Sequence, residues 1–269
     1  QQRYTHKDPK ENLLAFQLGG AKADIMAMAA AKAQTYGADL IDINAGCPKA
    51  KIRKNQAGSK LLENLDNTLA IIEAIKAEIS VPLTLKMRLL DPNSQEESVA
   101  FAQAVSAAGI DALCVHGRTH LDDYSTPSRL EMIAAIKQSI NIPLIANGDV
   151  DSYASLKHIH QQTGADGFMV ARASVGQPWI FKTLLANDTQ QEALAPPPEE
   201  VGKIFMRHLH GLSHLLSEKV ALLEARKLAK YYAKHSGIDA KFLTAFYQVE
   251  SLTEAKDLII QFFKTSNST

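Results

Sequence analysis

Cysteine is scarce in this sequence: two residues, Cys47 and Cys114, among 269, with neither CxxC nor Cys/His spacing. That scarcity excludes a disulfide framework and a structural zinc site, and makes a reducing cytoplasm the expected compartment. Net charge is missing too. The 29 basic residues are balanced by 29 acidic ones, so no global field holds a polyanion and any nucleic-acid surface must be local. No apolar run approaches membrane-spanning length, and no membrane partner is expected. The opening Gln-Gln-Arg-Tyr-Thr-His-Lys-Asp carries neither a signal-peptide pattern nor an initiating Met, so upstream residues are expected to be absent. Internal repeats and a dinucleotide-binding glycine fingerprint are also lacking. What is plentiful is apolar content, 46% of residues, enough for a full-sized core and a smaller second domain.

From residue 13 to residue 173 one unit recurs: a short apolar run, a turn, then a stretch of helical periodicity. The runs are Leu13 to Leu18, Leu40 to Asn44, Leu83 to Leu89, Ala112 to His116, Leu144 to Asn147 and Gly167 to Arg172. Their entries, such as Val-Pro, Ile-Pro and Gly-Ala-Asp, are where helices stop before buried parallel strands. Helical stretches include Ala23 to Tyr36, with Ile25, Met28, Ala29 and Ala33 apolar, and Thr68 to Ile79, with Leu69, Ile72, Ile75 and Ile79 on one face. Polar residues close several runs, and in a parallel barrel those ends gather at one mouth. The fold expected is therefore an α/β barrel of the (β/α)8 TIM type. Six strands are visible against the eight such a barrel needs, so the first two are expected upstream of Gln1; the alternative is an open six-stranded sheet. After Trp179 and Phe181 the alternation ends, and Ala195-Pro-Pro-Pro-Glu-Glu is a stiff linker into a helix start. Residues 1–194 are read as the barrel and 195–269 as a small helical domain of about four helices.

Cys47 follows a strand in Asn44-Ala45-Gly46-Cys47-Pro48-Lys49, which places a thiol at the mouth. A cysteine thiol is mostly protonated near neutrality and can donate a proton unaided; the plainer reading, a small buried hydrophobe, is adopted for Cys114. Lys86 and Arg88, two apart on one strand, point the same way. Buried lysine is costly without an anion or electron-rich ring nearby, so Lys86 suits a cofactor whose reduced form becomes negative, the alternative being an edge strand with solvated charges. His116 in His-Gly-Arg, Asn147-Gly148-Asp149 and Ala171-Arg172 end successive runs. Taken together they suit a phosphorylated cofactor, with Gly148 permitting close backbone approach and Arg172 adding a charge-assisted bond; singly, Asn-Gly-Asp is a turn and His116 a satisfied core residue. Lys219, Arg226, Lys227, Lys230 and Lys234 form the concentrated basic stripe of the tail, either phosphate-binding or simply solvated. His208, His210 and His214 have no carboxylate or cysteine at ligand spacing, and no metal is expected.

The ordered set FQL, DINAGCPK, NQAGSKLL, LKMR, VHGRT, ANGD, VARA and QPWIF, followed by a helical tail, resembles the bacterial tRNA-dihydrouridine synthases, especially their B-type branch. The resemblance covers most of the chain. It implies reduction of uridines in tRNA to 5,6-dihydrouridine, with FMN in the barrel mouth and NADPH as reductant. Gln17, Lys86, His116, Asn147, Gly148, Asp149, Ala171 and Arg172 fall at family cofactor positions, and Cys47 at the proton donor. Asn44 and Arg88 match positions near the substrate base. Arg226, Lys227 and Lys230 fall in the helical domain that grips tRNA, and a monomer is expected. The family's Ala-Pro-Met segment has no counterpart here, Ala171-Arg172 replaces a frequent Gly-Arg, and Lys60 stands at a usually small position. Other readings are an FMN-barrel dehydrogenase of a free small molecule, of dihydroorotate or dihydropyrimidine type, and a non-catalytic tRNA-binding protein.

Overall fold

The computed structural model describes residues 12–188 and 195–265. Six strands form one sheet in the order β1 to β6: Ala15–Leu18, Leu40–Ala45, Leu83–Arg88, Ala112–His116, Leu144–Asn147 and Gly167–Met169. Every pairing is parallel. Helices return the chain between strands: α1 (Ala23–Thr35), α2 (Ala50–Lys54), α3 (Leu65–Glu78), α4 (Glu96–Ala107), α5 (Leu130–Ser139) and α6 (Tyr153–Thr163). This is the regular βα alternation of a TIM-type barrel, with six of its strands among the described residues.

Alternation along each strand divides the side chains between two faces. Ile41, Ile43, Leu83, Leu85, Met87, Leu113, Val115 and Leu144 are at most 1% exposed and pack on the helix side. The opposite face carries the polar groups, and parallel register aligns them in rows. Gln17, Asp42 and Thr84 share one row; Asn44, Lys86 and Cys114 the next; Arg88, His116 and Asn147 the last, nearest the carboxyl ends.

Observed limits differ from the sequence reading in places. The first strand starts at Ala15 and the sixth ends at Met169, so Ala171 and Arg172 fall beyond it, Arg172 opening a short 3-10 turn, Arg172–Ser174. On α1 the buried residues are Met26, Ala27, Ala30 and Ala33, whereas Ile25 and Met28 are exposed. The helix is apolar round most of its circumference, so periodicity alone does not choose its inner face.

The chain divides into two compact units: one runs to Val150 and includes Ala154–Val170, the other holds Asp151–Tyr153 and resumes at Ala171. The second contains α7 (Ile180–Asp188), α8 (Pro198–Leu215), α9 (Glu218–Ser236), α10 (Ala240–Phe246) and α11 (Leu252–Thr265). Pro198 and the acidic pair Glu199 and Glu200 open α8, as expected at a helix N-terminus. Gly237, at φ 66°, ends α9 in the left-handed conformation. Phe205, Tyr232, Phe242, Phe246 and Phe263 fill the core of these last four helices, with the Phe205 and Tyr232 rings stacked at 4.5 Å. Gly202 is required there, because a Cβ would lie 2.6 Å from that of Phe263. Among the described residues no helix is long and apolar enough to cross a membrane.

Candidate active site

Cys47 lies in the loop after β2, half-buried and free of any disulfide. Two devices hold that loop. The Asn44 carboxamide oxygen accepts from the backbone N–H groups of Gly46 (3.1 Å) and Cys47 (2.9 Å), the Asx pattern that lets a side chain imitate a turn. From the other side the Cys47 carbonyl accepts from Ser59 N–H at 3.0 Å. The Asn44 amide donates to Gln17 Oε1 (2.8 Å), Gln17 donates to Asp42 (2.7 Å), and Thr84 donates to the same carboxylate (2.7 Å). A polar ladder therefore runs across three strands to the thiol loop. Asp42 is not among the residues that the sequence motifs single out, although its alternation with Asn44 in LIDIN places it on the same face.

Gly19, Gly20, Asn44, Cys47, Asn55 and Lys60 are among the residues lining a cleft of about 630 Å³. Lys60 pairs with Glu63, which also takes Arg53 at 2.6 Å. These two cations hold the Glu63 carboxyl below its ordinary range, the Lys60 bond having the larger effect.

Lys86 sits half-buried in the middle row, with no hydrogen-bond or ion-pair partner among the described residues. Burial pushes its pKa down, partly offset by Cys114 and Asp42 and reinforced by Arg88. Cys114, its neighbour in register, is buried on the same face, and burial pushes its thiol up to about 12. It is thus an inert packing group, with Met169 sulfur 3.9 Å away. Arg88 is 5% exposed. Its Nε donates to Gly46 O (3.0 Å) and its Nη1 to Thr119 O (2.6 Å), so it ties the thiol loop to the loop after β4.

His116 and Asn147 are buried at adjacent strand ends. The Asn147 amide donates to Met169 O at 2.9 Å. Burial is the main cause, and Arg88, Lys86 and Arg118 further causes, of a His116 pKa lowered to about 3; the ring is neutral in any ordinary buffer. Gly148 has φ 117°, and a Cβ there would lie 2.8 Å from Ser128 Oγ and 3.1 Å from the His116 ring. Asp149 holds the left-handed φ of 58° and pairs with Arg118, 1% exposed, at 2.7 and 2.8 Å. Sequence reasoning misses both Arg118 and Ser128. The HGR triplet could have drawn attention to Arg118, whereas nothing marks Ser128, whose buried hydroxyl has no partner among the described residues.

Of the predicted cofactor positions, Gln17, Lys86, His116, Asn147, Gly148 and Asp149 lie on the strands and strand ends of the first unit; Ala171 and Arg172, both exposed, belong to the second. Also in the second unit, Lys227 and Lys230 are exposed on α9, Lys227 pairing with Glu224 (2.8 Å) and Lys230 lying over the Tyr231 ring (4.9 Å). Arg226 turns inward. Its Nη2 donates to Val249 O at 2.6 Å, and its buried Nε has no partner among the described residues. His208 bonds the Tyr232 hydroxyl and His210 faces His214; among the described residues no group of three or more His, Cys, Asp or Glu could hold a metal.

A thiol after β2, a lysine within β3 and a neutral histidine ending β4 follow one another along the polar side of the parallel sheet, the side on which a barrel enzyme carries its chemistry. Its particular kind follows from comparison with known proteins. Residues 1–267 match the family described as Dihydrouridine synthase (Dus). The tRNA-dihydrouridine synthase B of Shewanella oneidensis is 35% identical over 97% of this chain and 81% of its own length. That of Pseudomonas syringae is 37% identical over 89% and 71%, and a probable tRNA-dihydrouridine synthase 1 of Synechocystis 36% over 96% and 73%. The chain belongs to the dihydrouridine synthase family.

Proposed function

We propose that this chain reduces the uracil ring of uridines in tRNA to 5,6-dihydrouracil, with FMN as bound cofactor and NADPH as reductant. The observation that carries this reading is Lys86, a half-buried ammonium without a partner among the described residues, in the row next to the thiol loop. An uncompensated buried cation is costly and is kept where an anionic group comes to it. The donor set fits a flavin: Lys86 Nζ and the neutral His116 ring offer donors on neighbouring rows of the same sheet face.

FMN, when bound, supplies the hydride accepted by uracil C6, the electrophilic end of an enone-like system. Cys47 gives its Sγ proton to C5, which completes the saturated bond. Asn44 and Gly58 hold the thiol loop in place for that transfer, and Asn44 with Arg88 lies on the substrate side. Lys86 stabilises negative charge at the mouth. Gln17, Asn147 and Asp149 shape the cofactor side of the barrel, residues 1–194. For Ala171 and Arg172 the proposed part is phosphate binding, resting on the resemblance alone.

The target base must leave its stack to be reached, and the helical region 195–269, through the exposed Lys227 and Lys230, holds the tRNA backbone meanwhile, whereas Arg226, placed with them by the resemblance, turns inward to Val249 O. The test is Cys47→Ala assayed on unmodified tRNA. Flavin content should be unchanged and dihydrouridine formation nearly abolished; turnover at the wild-type rate removes the thiol from the chemistry.

A further inference from the structure

We infer that Arg118 is a positioning residue: it fixes the tautomer of His116, so that the ring offers an Nδ1–H donor at the carboxyl end of β4. Arg118 Nη1 lies 3.1 Å from His116 Nε2. A guanidinium only donates, so Nε2 must be the bare, accepting nitrogen and the ring proton must sit on Nδ1. Among the described residues Nδ1 has no partner.

Arg118 is not at liberty to turn away. Its Nη2 donates to both Asp149 oxygens, its Nε to Thr126 O, and its backbone N–H to His116 O at 2.7 Å. Asp149 in turn accepts from Ser128 N–H at 3.0 Å. The arginine is thus fastened to the ends of two neighbouring strands and to the loop between β4 and α5. A simple loop staple would use the Asp149 and Thr126 bonds and leave Nη1 elsewhere; the third bond, to the ring, is what makes the arrangement specific.

The charged groups acting on His116 are Lys86 and Arg88 on β3, Arg118 after β4 and Asp149 after β5. Three cations oppose one carboxylate, and burial adds to them, so the ring stays an uncharged donor. Such a group recognises an acceptor atom, a ring carbonyl oxygen, a bare ring nitrogen or a phosphate oxygen, without adding a further positive charge. The flavin reading is needed only for the identity of that acceptor.

The experiment is long-range 1H–15N correlation on 15N-histidine-labelled full chain as purified, with the tautomer read directly for wild type, R118K and the double variant R118M/D149N, which removes both charges together. Wild-type His116 should carry its proton on Nδ1 and remain neutral to pH 5. In R118M/D149N both tautomers should appear and the ring should begin to protonate at a higher pH. R118K, which keeps a donor but not the fork, should hold most of the Nδ1–H form. A wild-type ring protonated on Nε2 overturns the assignment, as does a folded R118M/D149N chain with unchanged tautomer and titration; should that variant not fold, wild type and R118K decide. FMN affinity is measured separately and should fall about tenfold in the double variant, the size of one net hydrogen bond. A wild-type chain that binds no FMN defeats the cofactor reading and leaves the tautomer standing.

Discussion

Gly58 lies so close to Cys47 that a Cβ on it would sit 2.6 Å from the Cys47 carbonyl oxygen and 3.0 Å from its Cβ. With φ at 63°, Gly58 also occupies the left-handed region that favours glycine. The close approach lets Ser59 N–H reach the Cys47 carbonyl, and it gives a physical reason for the spacing between the GCPK and AGS segments. We predict that Gly58→Val costs roughly 1–3 kcal/mol of stability through strain and overpacking. Dihydrouridine formation should fall much further than flavin binding. Urea denaturation and flavin titration on the same preparation check this, and equal activity per folded molecule would show that the thiol does not depend on Gly58.

Asn44 makes three bonds with one side chain, two to the thiol loop and one to Gln17. Asn44→Ala leaves two loop N–H groups without their acceptor, each worth about 1 kcal/mol. The expected outcome is a turnover loss of at least tenfold on tRNA, with FMN affinity changed far less. Asn44→Asp keeps the acceptor but loses the amide donor to Gln17, and should recover the loop while weakening the ladder. Crystallography of the two variants would show whether Cys47 moves only in the alanine form.

Acid should weaken the barrel in two steps. His116 has a folded pKa of about 3 against an ordinary value of 6.5, so between those values the unfolded chain binds more protons. Stability from burying the neutral ring is fully present above pH 6.5 and declines as pH falls toward 3. Asp122 is depressed to about 2, first by its bond from Arg129 and then by the Thr119 groups; what it contributes is present above pH 3.8 and lost as pH falls through 2. Urea midpoints measured from pH 7 to pH 4 should therefore drop for wild type, and the His116→Gln curve should be flatter over that range. Parallel curves would show that His116 is not the group responsible.

Lys86 sets stability against function. Replacing it with Met removes a half-buried cation that lacks a partner, so the flavin-free protein should gain on the order of 1 kcal/mol. FMN should bind more weakly and its reduction potential should fall, because an anionic reduced ring loses its counter-charge. Calorimetry of the flavin-free chain and spectroelectrochemistry of the loaded one measure the two halves independently. A variant destabilised in both states would mean that Lys86 is a packing residue.

The barrel was legible because parallel strands buried on one face and functional on the other write a double signal. Ile41, Ile43, Leu83 and Leu85 make apolar runs, while Asn44, Lys86, Arg88, His116 and Asn147 break them at the mouth. Sequence spacing could not show where polar atoms were already committed. Arg88 points inward with Lys86 as its spacing implies, but two of its nitrogens are taken by backbone carbonyls, and Arg118, no more than the last letter of HGR in the sequence, is fully buried. The face of α1 was illegible for the opposite reason: too many of its positions are apolar for periodicity to choose Met26 over Ile25.

The basic stripe of α9 divides into two chemistries that spacing by three and four cannot separate. Lys219, Lys227, Lys230 and Lys234 are exposed, and flexible ammonium groups there can meet phosphates at little desolvation cost. Arg226 instead spends Nη2 on Val249 O and buries Nε. Charge reversal of Lys227, Lys230 and Lys234 should weaken tRNA binding by one to two orders of magnitude and lower the slope of log affinity against log salt, by roughly 0.7–0.9 for each phosphate no longer neutralised. Flavin content and thermal stability should stay near wild type. Arg226→Ala should do the reverse: lower the melting temperature by releasing the Val249 carbonyl, at a cost of about 1–3 kcal/mol, with a salt slope close to that of wild type. Filter binding across a salt series separates the two. If Arg226→Ala reduces the slope by the increment of a whole phosphate while the lysine reversals do not, the phosphates are met on the other side of the helix.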